Sequence, residues 1–243
     1  MLLPEPADDV DLARLYADVE RPAPTGRPWV LVNMVATTDG GTAVDGRSGP
    51  LGGAPDRKVF PNVRAVADVI LAAAGTVRAE SYGPPRPSPS LRAQRRERGQ
   101  DEAPRLAIVT SSLDLDPGWA LFTDAEVRPL VVTTADAPAD RRAALAGVAD
   151  VLEAGTGRVD LADALGQIAA LGAAVVVCEG GPSLNGQLLA AGLVDELCLT
   201  LAPLAIAGTS ARIAHGPDAA PRPLRLRHVL EEDGALFLRY DCA

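Results

Sequence analysis

Short runs of uninterrupted apolar residues, separated by stretches with helical periodicity, recur along the chain from residue 29 to residue 240. Trp29 to Val35, Val69 to Ala74, Leu106 to Val109, Leu130 to Thr133 and Val175 to Cys178 are short and apolar but for Asn33 and Thr133, the pattern of strands buried on both faces. Val148 to Glu153 reads as a weaker strand and Val194 to Pro203 as a further one. Between them, Asp56 to Asp68 carries Val59, Val63 and Val66 on one helical face, with Pro61 beginning or kinking the helix. Asp140 to Ala146 is a short helix, and Leu161 to Leu171 repeats Leu161, Leu165, Ile168 and Leu171 at helical spacing. Leu224 to Leu230 and Leu236 to Tyr240 flank Glu231 to Ala235, a hairpin signal. Pro84 to Pro104 has no periodicity and holds five arginines against three acidic residues, so it reads as a loop, either a lid or a mobile connection. The alternation predicts an α/β fold: a mostly parallel central sheet, an antiparallel C-terminal hairpin, and helices on both faces. No linker interrupts it, so residues 28–243 form one domain. Residues 1–27, rich in Pro and acidic side chains with only Val10 to Val19 patterned as a helix, form an arm lying on it.

The chain is organised around Gly172 to Pro203. After the Val175 to Cys178 strand, Glu179, Gly180 and Gly181 supply a carboxylate and two residues without a Cβ. Pro182 then opens a helix on which Leu184, Leu188 and Leu189 recur. Such a turn aims the backbone N–H groups of Gly181, Ser183 and Leu184 out of a helix N-terminus, where partial positive charge favours a phosphate. The same spacing also fits a tight strand-to-helix turn that holds no ligand.

Other strand ends carry chemistry too. Asp39 lies in the turn Ala36-Thr37-Thr38-Asp39-Gly40-Gly41 after the first strand, at the sheet end where parallel α/β proteins bind ligands; an Asp that bonds its own turn is the alternative. Gly75-Thr76-Val77 follows the second strand and gives close backbone approach plus a hydroxyl, with Arg78 adding a charge suited to phosphate. Thr110, Ser111 and Ser112 end the third strand, with hydroxyls that bind phosphate oxygens or shape a turn.

Composition narrows the classes. A chain of 243 residues with 47% apolar and 23% charged residues buries roughly three quarters of its unfolded surface. No apolar run reaches the length of a membrane span. The polar, acidic N-terminus does not resemble a secretory signal, which places the protein in the cytoplasm. Cys178, Cys198 and Cys242 are far apart, so no disulfide is expected. His215 and His228 lack neighbours at metal-ligand spacing, so no metal site is expected either. A net charge of −9 argues against a nucleic-acid surface and leaves room for a local phosphate pocket.

These residues also carry a family resemblance. Asn33 to Gly40, the Gly75-Thr76-Val77 turn, the Val109-Thr110-Ser111 strand end, Glu179 to Leu184, Leu193 to Leu197 and Ala202-Pro203 occur in the order seen in the riboflavin-biosynthesis pyrimidine reductases. The glutamate-diglycine element with its following Val-Asp-Glu-Leu is the most specific part. The resemblance implies a three-layer fold like that of dihydrofolate reductase, a homodimer, and NADPH-dependent reduction of 5-amino-6-(5-phosphoribosylamino)uracil, with hydride delivered to the ribose C1. It implies that Gly180, Gly181, Pro182, Ser183 and Leu184 hold the pyrophosphate. Gly75, Thr76 and Val77 would hold the cofactor from the adjacent strand, and Thr110 and Ser111 would sit by its 2′-phosphate. Asp39 and Glu179 would be the catalytic carboxylates, and Asn33, Thr38 and Glu80 would contact substrate. Two departures fall at the substrate end: Asn33 replaces the usual lysine, and Ala79-Glu80-Ser81-Tyr82 replaces Ala-Asp-Asp-Pro. The arginines of 84–104 are candidates to restore a phosphate contact. The zinc-deaminase pattern His-x-Glu with Pro-Cys-x-x-Cys is missing, so no deaminase activity is expected. Two other readings stand beside this one: an NADPH-dependent reductase of dihydrofolate or another pterin, and an NADPH-binding protein without catalysis.

Overall fold

In the computed structural model, which describes residues 1–242, each apolar run is a strand: β1 (Trp29–Thr37), β2 (Val69–Ala73), β3 (Arg105–Val109), β4 (Leu130–Thr133), β5 (Asp150–Glu153), β6 (Val175–Cys178), β7 (Glu196–Ala202), β8 (Leu224–Glu232) and β9 (Ala235–Cys242). They join one sheet in the order β5-β4-β3-β2-β6-β1-β7-β9-β8. Every pair from β5 to β7 is parallel, and β9 runs antiparallel to both β7 and β8. The helices are α1 (Leu12–Ala17), α2 (Gly49–Arg64), α3 (Ala74–Ala79), α4 (Pro89–Glu97), α5 (Ala120–Thr123), α6 (Ala139–Ala146), α7 (Leu161–Ala170) and α8 (Pro182–Ala190).

The expected layers are present because the strands are apolar on both faces. Val59 and Val63 of α2, Leu121 and Phe122 of α5 and Leu145 of α6 pack on one face against Leu31, Ile70, Ile108, Val131 and Val177. Leu161, Leu165 and Ile168 of α7 with Leu184 and Leu188 of α8 cover Val30, Val32, Leu71, Leu130 and Val176 on the other. From β1 the chain passes to β2, two places away; β6 later fills the gap, and the connection from β6 to β7 steps over β1. This reversal leaves a crevice at the C-terminal ends of β6, β1 and β7, where open α/β sheets take their ligands.

Four local expectations change. The Gly75-Thr76-Val77 turn is the first part of helix α3, since Ala74 and Val77 are buried and draw the segment onto the sheet. Helix α2 begins at Gly49, ahead of Asp56, with a break at Gly53, whose φ is +65°. The 84–104 segment contains α4, capped by Ser88; its polar surface hid it, because one leucine and the aliphatic stem of an arginine form its buried side. Four of its five arginines serve the fold, and none of the five lines the cleft. Arg95 is 1% exposed, donates to the carbonyls of Ala65, Ala67 and Asp101, and has its pKa lowered to about 10 by burial. Arg92 pairs with Glu126, Arg96 with Glu102, and Arg98 donates to Ala65.

The N-terminal arm is integral to the core. Tyr16 of α1 is buried and packs edge-on against His228 of β8, ring centroids 5.3 Å apart. Arg21 donates from Nε and Nη2 to the fully buried carboxylate of Glu196, which also accepts from Arg239 and from the Trp29 indole. Leu3 bridges Val229 on the edge strand.

Candidate active site

At the C-terminal end of the sheet, Glu179 follows β6, Asn33 and Val35 lie in β1, and Thr200 lies in β7 opposite Val35. They face a cleft of about 1150 Å³ whose opposite wall is helix α2. Val59 and Val63 commit one stripe of that helix to the core. Asp56, Phe60 and Arg64, spaced i, i+4, i+8, form the adjoining stripe that lines the cleft, as helical periodicity requires.

Glu179 is held by two side chains from outside its strand. Arg64 donates from Nε to Oε1 at 2.6 Å and from Nη2 to Oε2 at 2.7 Å, the parallel fork in which a guanidinium matches a carboxylate. The Tyr82 hydroxyl donates to Oε2 at 2.6 Å. The Arg64 guanidinium lies 4.4 Å from the Phe60 ring centroid and 5.4 Å from that of Tyr82, a cation between two π faces. Burial works against the arginine's charge, but the Glu179 carboxylate beside it raises its pKa above the ordinary value. Burial and the same carboxylate push the Tyr82 hydroxyl well up, so it remains a proton-bearing donor. Two helical turns away, Asp56 accepts from the Thr200 hydroxyl at 2.8 Å, and burial raises its carboxyl above the usual range.

The other end of the cleft is backbone. Gly180 has φ +83°, open to glycine at little cost, and Gly181 is the N-cap of α8 with no side-chain cap. A Cβ on Gly181 would lie 2.8 Å from the Thr76 hydroxyl, so a side chain would fill the space that the turn keeps open. Pro182 has no N–H, and the amides of Ser183 and Leu184 belong to the first turn, which has no intrahelical acceptors. An uncapped helix N-terminus above a side-chain-free floor fits the diphosphate of a dinucleotide.

The sequence candidates separate into two groups. Asn33, Gly75, Thr76, Glu80, Glu179, Gly181 and Pro182 line the cleft, and Gly180, Ser183 and Leu184 lie beside it in the turn and the first turn of α8. Glu80 accepts from the Ser48 amide at 2.6 Å and ties α3 to the start of α2. Val77 turns its side chain into the core, leaving only its backbone for a ligand. Thr110 is buried and accepts from the Leu113 amide, while Ser111 is exposed outside the cleft lining.

Asp39 and Thr38 lie outside the cleft lining, and Asp39 bonds two residues that belong to it. The Asp39 carboxylate, expected to face an acceptor, takes the Thr37 hydroxyl and the amides of Ile206 and Ala207. The Thr37 hydroxyl first, then the Ala207 amide, lower its pKa. Thr38 donates to the Leu204 carbonyl. Both anchor the 204–207 segment, over 160 residues away in sequence, a contact no local pattern reports. Arg64, Tyr82, Asp56 and Thr200 were missed as site residues. The available signal was a polar-aromatic-polar stripe at i, i+4, i+8 beside the valine stripe of α2.

Residues 28–234 match the family model described as the RibD C-terminal domain. The 2,5-diamino-6-ribosylamino-4(3H)-pyrimidinone 5′-phosphate reductase of Methanothermobacter thermautotrophicus is 30% identical over 214 residues, covering 85% of this chain and 95% of the relative. The protein of the same name from Archaeoglobus fulgidus is 31% identical over 183 residues, covering 75% and 83%. Among solved structures, a pyrimidine reductase-like protein from Corynebacterium diphtheriae superposes with a TM-score of 0.85 at 28% identity, covering 96% of this chain and 99% of its own. With the family model matched over most of the chain and two relatives at 30% and 31% identity, the protein belongs to the RibD C-terminal domain family of riboflavin-pathway pyrimidine reductases.

Proposed function

We propose that the protein is an NADPH-dependent reductase of a 6-(5-phosphoribosylamino)pyrimidine, of the class that includes 5-amino-6-(5-phosphoribosylamino)uracil. When bound, the nicotinamide supplies a hydride to the ribose C1 in its ring-opened imine form; the C=N electron pair goes to nitrogen, which takes up a proton, and the product is a ribitylamine. The protein's own contribution is placement and exclusion of water. Gly180, Gly181 and the first-turn amides of α8 would hold the diphosphate, with Gly75 and Thr76 beside it. Glu179 would face the ribose, fixed by Arg64 and Tyr82 in one orientation. The observation that carries the reading is that the side-chain-free turn and the Glu179 fork, adjacent in sequence, open into one cleft. That arrangement would set a dinucleotide and a sugar side by side.

The test is oxidation of NADPH by the purified protein with the phosphoribosylaminopyrimidine, followed by loss of reduced-nicotinamide absorbance and by mass of the product. Appearance of the ribityl compound is the expected result. Turnover only with dihydrofolate would favour the pterin reading, and NADPH binding without turnover of either would favour a non-catalytic role.

The acting unit is a homodimer in the cytoplasm, where the three thiols stay reduced. Leu197, Leu199 and Leu201 of β7 stand opposite Tyr240, Leu238 and Leu236 of β9, and Leu226 of β8 stands opposite Tyr240. This half-exposed to exposed apolar face suits a second copy. Light scattering at micromolar concentration tests it, with a mass of twice the chain expected. Among the described residues no helix is long and apolar enough to cross a membrane.

A further inference from the structure

The stripe of α2 that lines the cleft has two chemically opposite ends. Asp56 and Arg64 are eight residues apart on one continuous helix, about 12 Å at 1.5 Å per residue. Among the described residues Arg64 is the one lysine or arginine side chain lining the cleft, and its charge is matched by Glu179, so a substrate phosphate is kept from the Asp56 end by repulsion. The cleft's other carboxylates differ from Asp56. Glu179 is forked by Arg64 and bonded by Tyr82, Glu80 is bonded to the Ser48 amide, and Asp45 is exposed at the rim. Asp56 forms no ion pair among the described residues. Its Oδ1 is fixed by Thr200, and its Oδ2 takes no hydrogen bond among them. Room for that second oxygen depends on Gly52, where a Cβ would lie 2.6 Å from it. The site thus keeps a half-buried, oriented carboxylate with one oxygen and part of another open to the cleft, at the end away from the phosphate.

We infer that Asp56 is the ring-recognition residue of this site: its carboxylate accepts two parallel hydrogen bonds, from N3–H and the 2-amino group of a 2-amino-4-oxopyrimidine, and so selects that substrate over the corresponding uracil. This rests on the reductase reading above and deepens it. A uracil presents a carbonyl oxygen where the 2-amino group would be, and that oxygen would face a carboxylate oxygen, acceptor against acceptor. A site built around a hydrogen-bonding partner rejects an analogue that lacks it by large factors. Thr200 contributes by fixing the carboxylate plane. The groups around Asp56 are Arg57 on its own helix, Thr200 on β7 and the Tyr16 hydroxyl of α1, with the Glu196, Arg21 and Arg239 cluster farther along the same face. None is a cation held in contact with Asp56. Ring binding therefore favours the ionised acid, and affinity falls as acid protonates it.

The experiment compares kcat/KM of the full chain for the two ribosylaminopyrimidine phosphates that differ only in 2-amino or 2-oxo. The wild type should prefer the amino compound by about 100-fold or more. Asp56→Asn keeps the shape but sets an N–H donor beside an acceptor, which suits the uracil edge. It should lose the amino substrate mainly through KM, reduce or reverse the preference, and leave the Kd for NADPH unchanged. Thr200→Val should narrow the preference while retaining the fold, measured by its unchanged thermal midpoint. Equal use of both compounds by the wild type, or an equal loss on both in Asp56→Asn, would overturn the assignment and leave the reductase reading intact. Turnover of neither compound by the wild type would overturn both.

Discussion

Arg64 and Glu179, 115 residues apart in sequence, meet in a two-pronged ion pair at 2.6 and 2.7 Å. The carboxylate side chain is 4% exposed and the guanidinium 25%. Tyr82 completes the set from a third segment, so the orientation of Glu179 is determined by α2 and the end of α3 as much as by its own strand. That makes the fork a stability element and a site element together. Removing one partner leaves the other buried and uncompensated, which typically costs about 3–5 kcal/mol.

Glu179→Gln should therefore lower the thermal midpoint by roughly 6–20 °C, at about 2–4 °C per kcal/mol for a domain of this size, and reduce kcat. Tyr82→Phe removes one donor and keeps the ring under Arg64, so it should cost far less stability while still reducing kcat. Differential scanning calorimetry with steady-state kinetics on both variants checks the two effects separately.

Gly181→Ala addresses the cradle. The backbone at 181 suits alanine, with φ −67°, so the fold should persist; the added methyl meets the Thr76 hydroxyl and occupies the floor beneath the diphosphate. The Kd for NADPH should rise at least tenfold while the thermal midpoint of the ligand-free protein moves little. Titration of cofactor fluorescence gives the answer, and an unchanged Kd would remove the diphosphate from this turn.

His228 provides a pH test of the arm. It is 3% exposed, its Nε2 has no hydrogen-bond partner among the described residues, and burial first, then Arg239, lower its pKa to about 4. The unfolded chain binds its proton near pH 6.5, so the stabilisation is fully present above that pH and is lost as pH falls from about 6.5 to about 4. A shift of this size corresponds to about 3 kcal/mol. His228→Leu should flatten this part of the stability-versus-pH curve, measured by urea unfolding at pH 7.5, 5.5 and 4.5 (roughly chosen to bracket the window).

Arg21→Ala tests whether the arm belongs to the core. Glu196, fully buried, would keep Arg239 and the Trp29 indole and lose the guanidinium that ties the arm to the sheet. Cleavage within the first 27 residues by a nonspecific protease should accelerate, with a stability loss of about 3 kcal/mol. Unchanged proteolysis would mean that Tyr16 and the Leu3 bridge suffice to hold the arm.

Local pattern accounts for much of the architecture. Parallel strands buried on both faces are largely apolar, so β2 and β6 stand out as runs of four to six apolar residues. A diglycine followed by proline can hardly be other than a turn into a helix. The glycine turn was legible because its geometry is main-chain and depends on the absence of side chains at consecutive positions.

The sequence by itself determined the order of the elements, the parallel sheet with its antiparallel end, and the glycine turn at β6. Tertiary structure decided which carboxylates face the cleft. The Asp39 carboxylate is taken up by the amides of Ile206 and Ala207, whereas Asp56 lines the cleft, where Thr200, 144 residues away, holds it. The division has a physical cause: periodicity records burial along one element, whereas a polar side chain's direction depends on partners supplied by other elements, whose proximity arises only when the sheet is assembled.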